Sequence, residues 1–355
     1  MSGIQSRKSF KNCKFLNQLN PQNHINRVMK RAAILVPNSP CILSSVIGAY
    51  KVFTTVNQIL ESQGQRPFFD IKMVGLSEET RLYDGLFLVR PEMLAKDLKK
   101  TDLVVIPAFN GDIQACLKLN MDYIPWIIDQ YKQGAEIASL CTGAFLLAST
   151  GLLKGKKCST HWLAANAFRQ AFPDVKLQPE KIITDELGMY SSGGAYSFLN
   201  LMIYLVEKFC GREMAVHCSK ILEIEIERKS QSPFAIFIGQ KTHEDEPIKQ
   251  AQLFMENNVS AKVSVDQLSD MFAISRRNFE RRFKKATSNT PVEYLQRVKI
   301  EAAKKSLESS RENVNEVMYS VGYSDSKAFR TTFKKITGLS PVSYRNKYNR
   351  EMAVM

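Results

Sequence analysis

Cys141 is the residue whose setting could support covalent chemistry. It follows a short apolar run, Ile137 to Leu140, and precedes Thr142-Gly143-Ala144, so it reads as a strand, a sharp turn and a helix start. A cysteine at a helix N-terminus has its thiolate stabilised, which lowers its pKa and makes it a nucleophile. It then needs a base and an acid to orient that base. His161, in Ser159-Thr160-His161-Trp162, is the candidate base, but only folding could bring it close, and no Asp or Glu occurs between Arg31 and Leu60. The same residues also read as the wall of a pocket for a small polar molecule. Asn110, Gly111, Cys141, Thr142 and His161 would line it, with Ser192 and Gly193 in a small-residue turn before a helix starting at Ala195. The free N–H groups of that helix start could hold a carboxylate. The bland readings are a small side chain at a tight turn for Cys141 and a hydrogen-bonded imidazole at a strand end for His161. Adjacent His217 and Cys218 have no partners at ligand spacing, so neither a metal nor another cofactor is expected.

A second chemistry lies in the last third of the chain, where the sequence repeats at a spacing of fifty residues. Phe279-x3-Phe283-Lys284-Lys285 returns as Phe329-x3-Phe333-Lys334-Lys335, and Thr287-x3-Pro291-x2-Tyr294 returns as Thr337-x3-Pro341-x2-Tyr344. Two copies of one supersecondary unit follow. Phe279 and Phe283 lie four apart and face a core, so Arg277 and Arg281, rotated roughly 200° away, face outward. By the same geometry Phe329 and Phe333 point in, while Lys327 and Thr331 point out, flanked by Arg330 and Lys334. A helix with one aromatic and one cationic stripe suits the DNA major groove, where Arg and Lys pair with guanine or neutralise phosphates. The alternative is a helical repeat that binds protein, its cations merely solvated.

Each copy must be a short helix, a turn and a second, basic helix. In the first copy Asp266 is the expected N-cap of the leading helix and Ser275 that of the basic helix; in the second, Gly322 marks the turn and Ser324 or Asp325 the cap. Between the copies Pro291 can start a helix through Leu307, about eighteen residues or roughly 27 Å long. With the width of the flanking helices added, the two basic helices could sit about 34 Å apart, one DNA turn. The Cys141 region needs a different scaffold. Ala32 to Val36, Asp70 to Val74, Leu103 to Ile106 and Ile137 to Leu140 read as buried parallel strands. Helical segments separate them: Ser44 to Glu61, Tyr123 to Gln133, Gly143 to Ser149 and, later, Ala195 to Phe209. That alternation implies an α/β fold, a doubly wound, flavodoxin-like parallel sheet, followed by an all-α domain with two helix-turn-helix units. In such a sheet the ligand crevice lies at the carboxyl ends of the strands.

The 355 residues are enough for two such domains, and the formal charge of +14 is unevenly placed. Residues 248–355 hold 20 Lys plus Arg against 11 Asp plus Glu, and residues 1–30 hold six cations and no acid, which leaves a middle close to neutral. A neutral middle joined to a basic end argues for a sensor attached to a nucleic-acid binder. The domain boundaries follow: a disordered basic tail at 1–30, the α/β domain at 31–225, a polar and Pro-containing linker at 226–247 and the helical domain at 248–355. Met29 offers an alternative start that would remove only the tail. Seven singly scattered cysteines suit a reducing compartment, and neither a membrane span nor a secretory signal is expected, so the predicted location is the cytoplasm.

Two resemblances attach to these residues. Ala273-Ile-Ser-Arg-Arg-Asn-Phe-Glu-Arg-Arg-Phe-Lys-Lys285, Val321-Gly-Tyr-Ser-Asp-Ser-Lys-Ala-Phe329 and Gly338-Leu-Ser-Pro-Val-Ser-Tyr-Arg345 resemble the AraC/XylS DNA-binding domain. That likeness implies base contacts at Arg277, Glu280, Arg281, Ser326, Lys327, Arg330 and Thr331, with Arg276 on the same surface. Ser139-Leu-Cys-Thr-Gly-Ala144 through Ser159-Thr-His-Trp162, with Ser191-Ser-Gly-Gly-Ala195, resembles the PfpI-like (class I glutamine amidotransferase-like) domain of GlxA-type AraC regulators. Active PfpI-like hydrolases commonly place His after the cysteine and a carboxylate near the end of the first strand, where this chain has Thr142 and no acid. The implied function is a transcription regulator, more an activator than a repressor and often of amine or amino-acid metabolism. Its implied partners are promoter DNA, a small-molecule effector, a second copy in a homodimer and RNA polymerase. A cysteine-dependent amidase or deglycase with an appended DNA-binding domain is the competing reading.

Overall fold

The apolar runs form strands, and the computed structural model, which describes residues 28–226 and 230–349, shows how they assemble. In chain order they are β1 (Lys30–Val36), β2 (Phe69–Gly75), β3 (Thr80–Leu82), β4 (Phe87–Val89), β5 (Met93–Leu94), β6 (Leu103–Ile106), β7 (Glu136–Ser139), β8 (Lys157–Cys158), β9 (Lys176–Leu177), β10 (Ile183–Glu186) and β11 (Met189–Ser192). One sheet takes seven of them, in the order β10-β11-β7-β6-β1-β2-β5. All its neighbours run parallel except β10, which turns back antiparallel on β11. Ala32 and Ile34 of β1 enter one core, Ala33 and Leu35 the other. Burial of both faces is why these strands are continuously apolar.

Helices α1 (Leu43–Ser62), α2 (Ile113–Leu119), α3 (Tyr123–Lys132), α4 (Ala144–Ser149), α5 (Ala165–Ala171), α6 (Phe198–Cys210) and α7 (Arg212–Ile221) cover the two faces. Phe53, Leu201 and Ala215 bring α1, α6 and α7 to the first core; Ile127, Phe145 and Phe168 bring α3, α4 and α5 to the second. This is the doubly wound sheet that the alternating pattern implies. Ser159 to Trp162 follows β8, which pairs with β9 in a separate two-stranded sheet. Cys141–Gly143 is a single 3₁₀ turn, so the helix expected from Gly143 begins one residue later, at Ala144.

The second unit holds α8 (Glu246–Asn257), α9 (Val265–Met271), α10 (Arg276–Thr287), α11 (Pro291–Ser309), α12 (Val314–Ser320), α13 (Ser326–Thr337) and α14 (Pro341–Tyr348). Its internal repeat extends to single atoms. Thr287 donates from its hydroxyl to the Phe283 carbonyl and Thr337 to that of Phe333, both at 2.8 Å. The Phe283 and Tyr294 rings meet edge-on at 5.3 Å, and those of Phe333 and Tyr344 at 5.4 Å. Capping differs from expectation at two ends: Ser275 precedes α10 without a side-chain capping bond, and Ser264, not Asp266, caps α9, in a reciprocal capping box with Gln267. Asp266 is thereby left in the first turn, where its charge favours the helix dipole. Asp325 caps α13 through the N–H groups of Lys327 and Ala328. The second turn is one residue longer than the first, and its left-handed position is Gly322, where the first has Ala273.

The chain divides into its two units after residue 229, so much of the expected linker belongs to the helical unit. From Ser232 to Asp245 this segment is strapped along it. Lys304 donates to the Ala235 carbonyl at 2.7 Å, the Phe237 N–H donates to Glu301 at 3.1 Å, and Asp245 meets Arg282 of α10 in a two-point ion pair at 2.6 and 2.9 Å. The polar, Pro-containing composition hid these anchors. Asp245 also caps α8 through the Ile248 N–H. Asp245→Ala is therefore expected to cost about 1–2 kcal/mol at neutral pH, from a lost cap plus a lost ion pair. Hydrogen bonding to the Arg282 guanidinium holds the Asp245 carboxyl below its ordinary range. A depressed carboxylate stabilises the fold above its unfolded pKa and ceases to do so as pH falls through the folded value. Urea titrations should thus show the wild-type advantage at pH 7 and none at pH 2; an equal gap at both would remove the ion pair from the account.

Candidate functional site

The sheet order reverses between β2 and β6 on either side of β1, and the crevice expected there is built from three loops. The loop after β1 crosses to the loop after β6: the Asn110 N–H donates to the Pro40 carbonyl at 3.0 Å and the Ile42 N–H to that of Ala108 at 2.8 Å. Gly143 lies so close beneath β6 that a Cβ there would stand 2.6 Å from the Ile106 carbonyl oxygen and 2.5 Å from that of Pro107. Only glycine permits that approach.

Cys141 is 5 % exposed and has left-handed backbone, φ 54°. Its N–H donates to the Ser192 hydroxyl at 3.1 Å, and its carbonyl accepts from the Thr160 hydroxyl at 3.0 Å. Those two bonds bring the β11 end and the 159–161 segment to the cysteine. His161 lies against Gly194, where a Cβ would stand 2.9 Å from its Nε2. The structure therefore gathers Cys141, His161, Ser192 and Gly194 into one place. Thr142, in the same turn, donates from its hydroxyl to the Phe109 carbonyl at 2.8 Å, and the Gly193 N–H donates to the Ile182 carbonyl at 2.7 Å. Both are committed within the protein, whereas the side chain of Asn110 and Gly111 are exposed at the rim.

The electrostatics correct the reading of Cys141 as an activated thiolate. Burial pushes its pKa up, outweighing the backbone N–H groups of Ala195 and Thr142 that favour the anion. One 3₁₀ turn offers little dipole to offset that desolvation. Burial also pushes the His161 pKa down, favouring the uncharged ring. Its Nδ1 accepts from the Leu163 N–H at 3.1 Å, which places the ring proton on Nε2. With that nitrogen committed to backbone, the imidazole is not poised to take the cysteine proton. Cys141→Ser is accordingly expected to leave hydrolysis of amide and α-dicarbonyl adducts at the uncatalysed level of the wild type. Turnover that the substitution abolishes would restore the enzyme reading. Ala195, whose helix start the sequence offered as an anion holder, has left-handed backbone at φ 42° and turns its N–H to the Cys141 thiol.

The other site is a cationic surface on the helical unit. Phe279, Phe283, Phe329 and Phe333 are fully buried, while Arg277, Arg281, Lys284, Lys327, Arg330, Thr331 and Lys334 are exposed. The two stripes thus separate as helical geometry requires. Arg281 is steadied by a 2.9 Å bond to Asn278. Arg276 is different, because it sits in exposed ion pairs with Asp266 at 3.0 Å and Glu280 at 3.2 Å. Glu280 and Arg276 hold one another, and Ser326 is half-buried at the start of α13. Arg282, in the same basic run, is turned to Asp245 and leaves the surface charge to its neighbours. Among the described residues no His, Cys, Asp and Glu cluster could hold a metal, and no helix is long and apolar enough to cross a membrane.

Two families match different parts of the chain. The helix-turn-helix domain family matches residues 268–347 and the DJ-1/PfpI family residues 54–208. The HTH-type transcriptional regulator GbdR of Pseudomonas aeruginosa is 25 % identical over 259 residues, 73 % of this chain and 69 % of its own. The HTH-type transcriptional regulator ArgR of the same organism is 26 % identical over 279 residues, 75 % of this chain and 83 % of its own. Among solved structures, an AraC family transcriptional regulator from Pseudomonas putida aligns with a TM-score of 0.43 and 21 % identity over 55 % of this chain and 99 % of its own.

Proposed function

We propose that the chain is a GlxA-type AraC/XylS transcription regulator, joining a PfpI-like domain to an AraC-type helix-turn-helix domain, and that it reads promoter DNA with α10 and α13 under the control of a small effector held beside Cys141. The carrying observation is the doubled basic helix, with Arg277 and Arg281 on one copy and Lys327, Arg330 and Thr331 on the other, each exposed opposite a buried phenylalanine pair. The effector reading is supported by the gathering of Cys141, His161, Ser192 and Gly194, with Asn110 and Gly111 at the rim. A protein of this kind works in the cytoplasm as a homodimer and acts on RNA polymerase.

Two measurements test the reading on the full chain. Affinity for duplexes it selects from a random pool should fall about a thousandfold or more between 50 and 200 mM salt, as six or more phosphate contacts would require. A flat salt response would remove the cationic surface from the account. A panel of amine and amino-acid metabolites should raise the melting temperature for at least one compound, and that shift should vanish in His161→Ala. A shift that persists in the variant would place the effector elsewhere.

A further inference from the structure

The two helix-turn-helix copies do not share a core. Phe279, Phe283, Leu268 and Tyr294 build one cluster, and Phe329, Phe333, Val317 and Tyr344 build the other. Helix α11 passes from the first to the second: Val298 belongs to one and Ile300 to the other. Apart from α11, Val259 alone packs against both clusters, and a cleft of about 380 Å³ lined by Val263, Leu295 and Tyr323 opens between the copies. Apolar packing between the copies therefore runs through α11 and Val259.

Lys299 stands at the changeover. Its side chain is drawn inside, 7 % exposed, and its ammonium donates to three main-chain carbonyls: Val259 at 2.6 Å, Ala261 at 3.0 Å and Val321 at 2.9 Å. The first two belong to the loop between α8 and α9 of the first copy, and the third to the turn after α12 in the second. An ammonium has three donors, and all are spent in bridging the copies. Gly322 makes room for it: a Cβ there would stand 2.7 Å from the Lys299 Nζ and 2.3 Å from the Ser260 carbonyl oxygen. Its left-handed backbone, φ 74°, also suits glycine.

We propose that Lys299 is a positioning residue for DNA recognition, a clamp that holds α10 and α13 at a set spacing and angle so that both recognition elements are read together. This rests on the reading of both helices as DNA-contacting, and it adds where that spacing comes from. Lys299 itself touches no DNA in this account. Its loss should relax the coupling between the two elements and leave each helix its own contacts.

The test uses the full chain and a duplex that the wild type selects from a random pool, with a second duplex carrying one base pair inserted between the two protected segments. The insertion should cost the wild type about tenfold or more in affinity, because it lengthens and rotates the second element away. Lys299→Met should bind the parent duplex about tenfold more weakly but lose less than about threefold on insertion. Gly322→Ala, which pries the same joint from the other side, should show the same relaxed spacing and carries the test if Lys299→Met does not fold. Either variant, folded by circular dichroism, that keeps the wild-type insertion penalty overturns the clamp alone. A wild type indifferent to the insertion overturns the two-helix reading and the clamp with it.

Discussion

Phe283→Ala is expected to destabilise the helical unit by about 3–5 kcal/mol, because it empties a fully buried ring site in a core of eight buried residues. The ring packs edge-on against Tyr294 and at 5.7 Å against Phe279, so its neighbours are themselves wedged and cannot collapse into the space. Phe333→Ala should cost a similar amount, since its ring meets Phe329 at 5.8 Å and Tyr344 at 5.4 Å. Separate cores predict separate damage. Hydrogen exchange in Phe283→Ala should rise in α9 and α10 more than in α12 and α13, and the reverse should hold for Phe333→Ala. Uniform loss of protection in both variants would show that the copies share one cooperative core.

The double substitution Arg281→Ala with Lys327→Ala is expected to weaken specific DNA binding by about 2–6 kcal/mol, at about 1–3 kcal/mol for each side chain that reads a base. The two residues lie in different copies, so their effects should add. Arg276→Ala makes the contrast. That guanidinium is already shared between Asp266 and Glu280, and freeing Glu280 at the surface should cost affinity without altering which base is preferred. Equal loss of base preference in both variants, measured by competition against single-base-substituted duplexes, would contradict the assignment of Arg281 and Lys327 as readers.

The doubled unit was legible because its signals are local. Phe279 and Phe283 lie one helical turn apart, their fifty-residue echo repeats turn and cap chemistry, and helical geometry then sends Arg277 and Arg281 outward without reference to the rest of the chain. The parallel strands were legible for a related reason, since burial on both faces leaves Ala32 to Val36 without a polar residue. What stayed hidden depends on contacts between distant segments. Arg276 and Arg282 are alike as letters, and only folding assigns one to Asp266 and the other to Asp245. Lys299 reads as one more cation on an amphipathic helix until three carbonyls from two loops close around it. The polar stretch before α8 reads as a tether, yet Phe237 and Asp245 fasten it. For Cys141 the local rule misled: a turn before a helix suggested an acidic thiol, and burial, which no local pattern reports, raises its pKa instead.

A hydroxyl-radical footprint of the full chain on a duplex it has itself selected tests the central claim most directly. The account predicts two protected patches on one face of the duplex, about one helical turn apart, each removed separately by Arg281→Ala and by Lys327→Ala. A single patch, or protection without register that both variants leave intact, would contradict it.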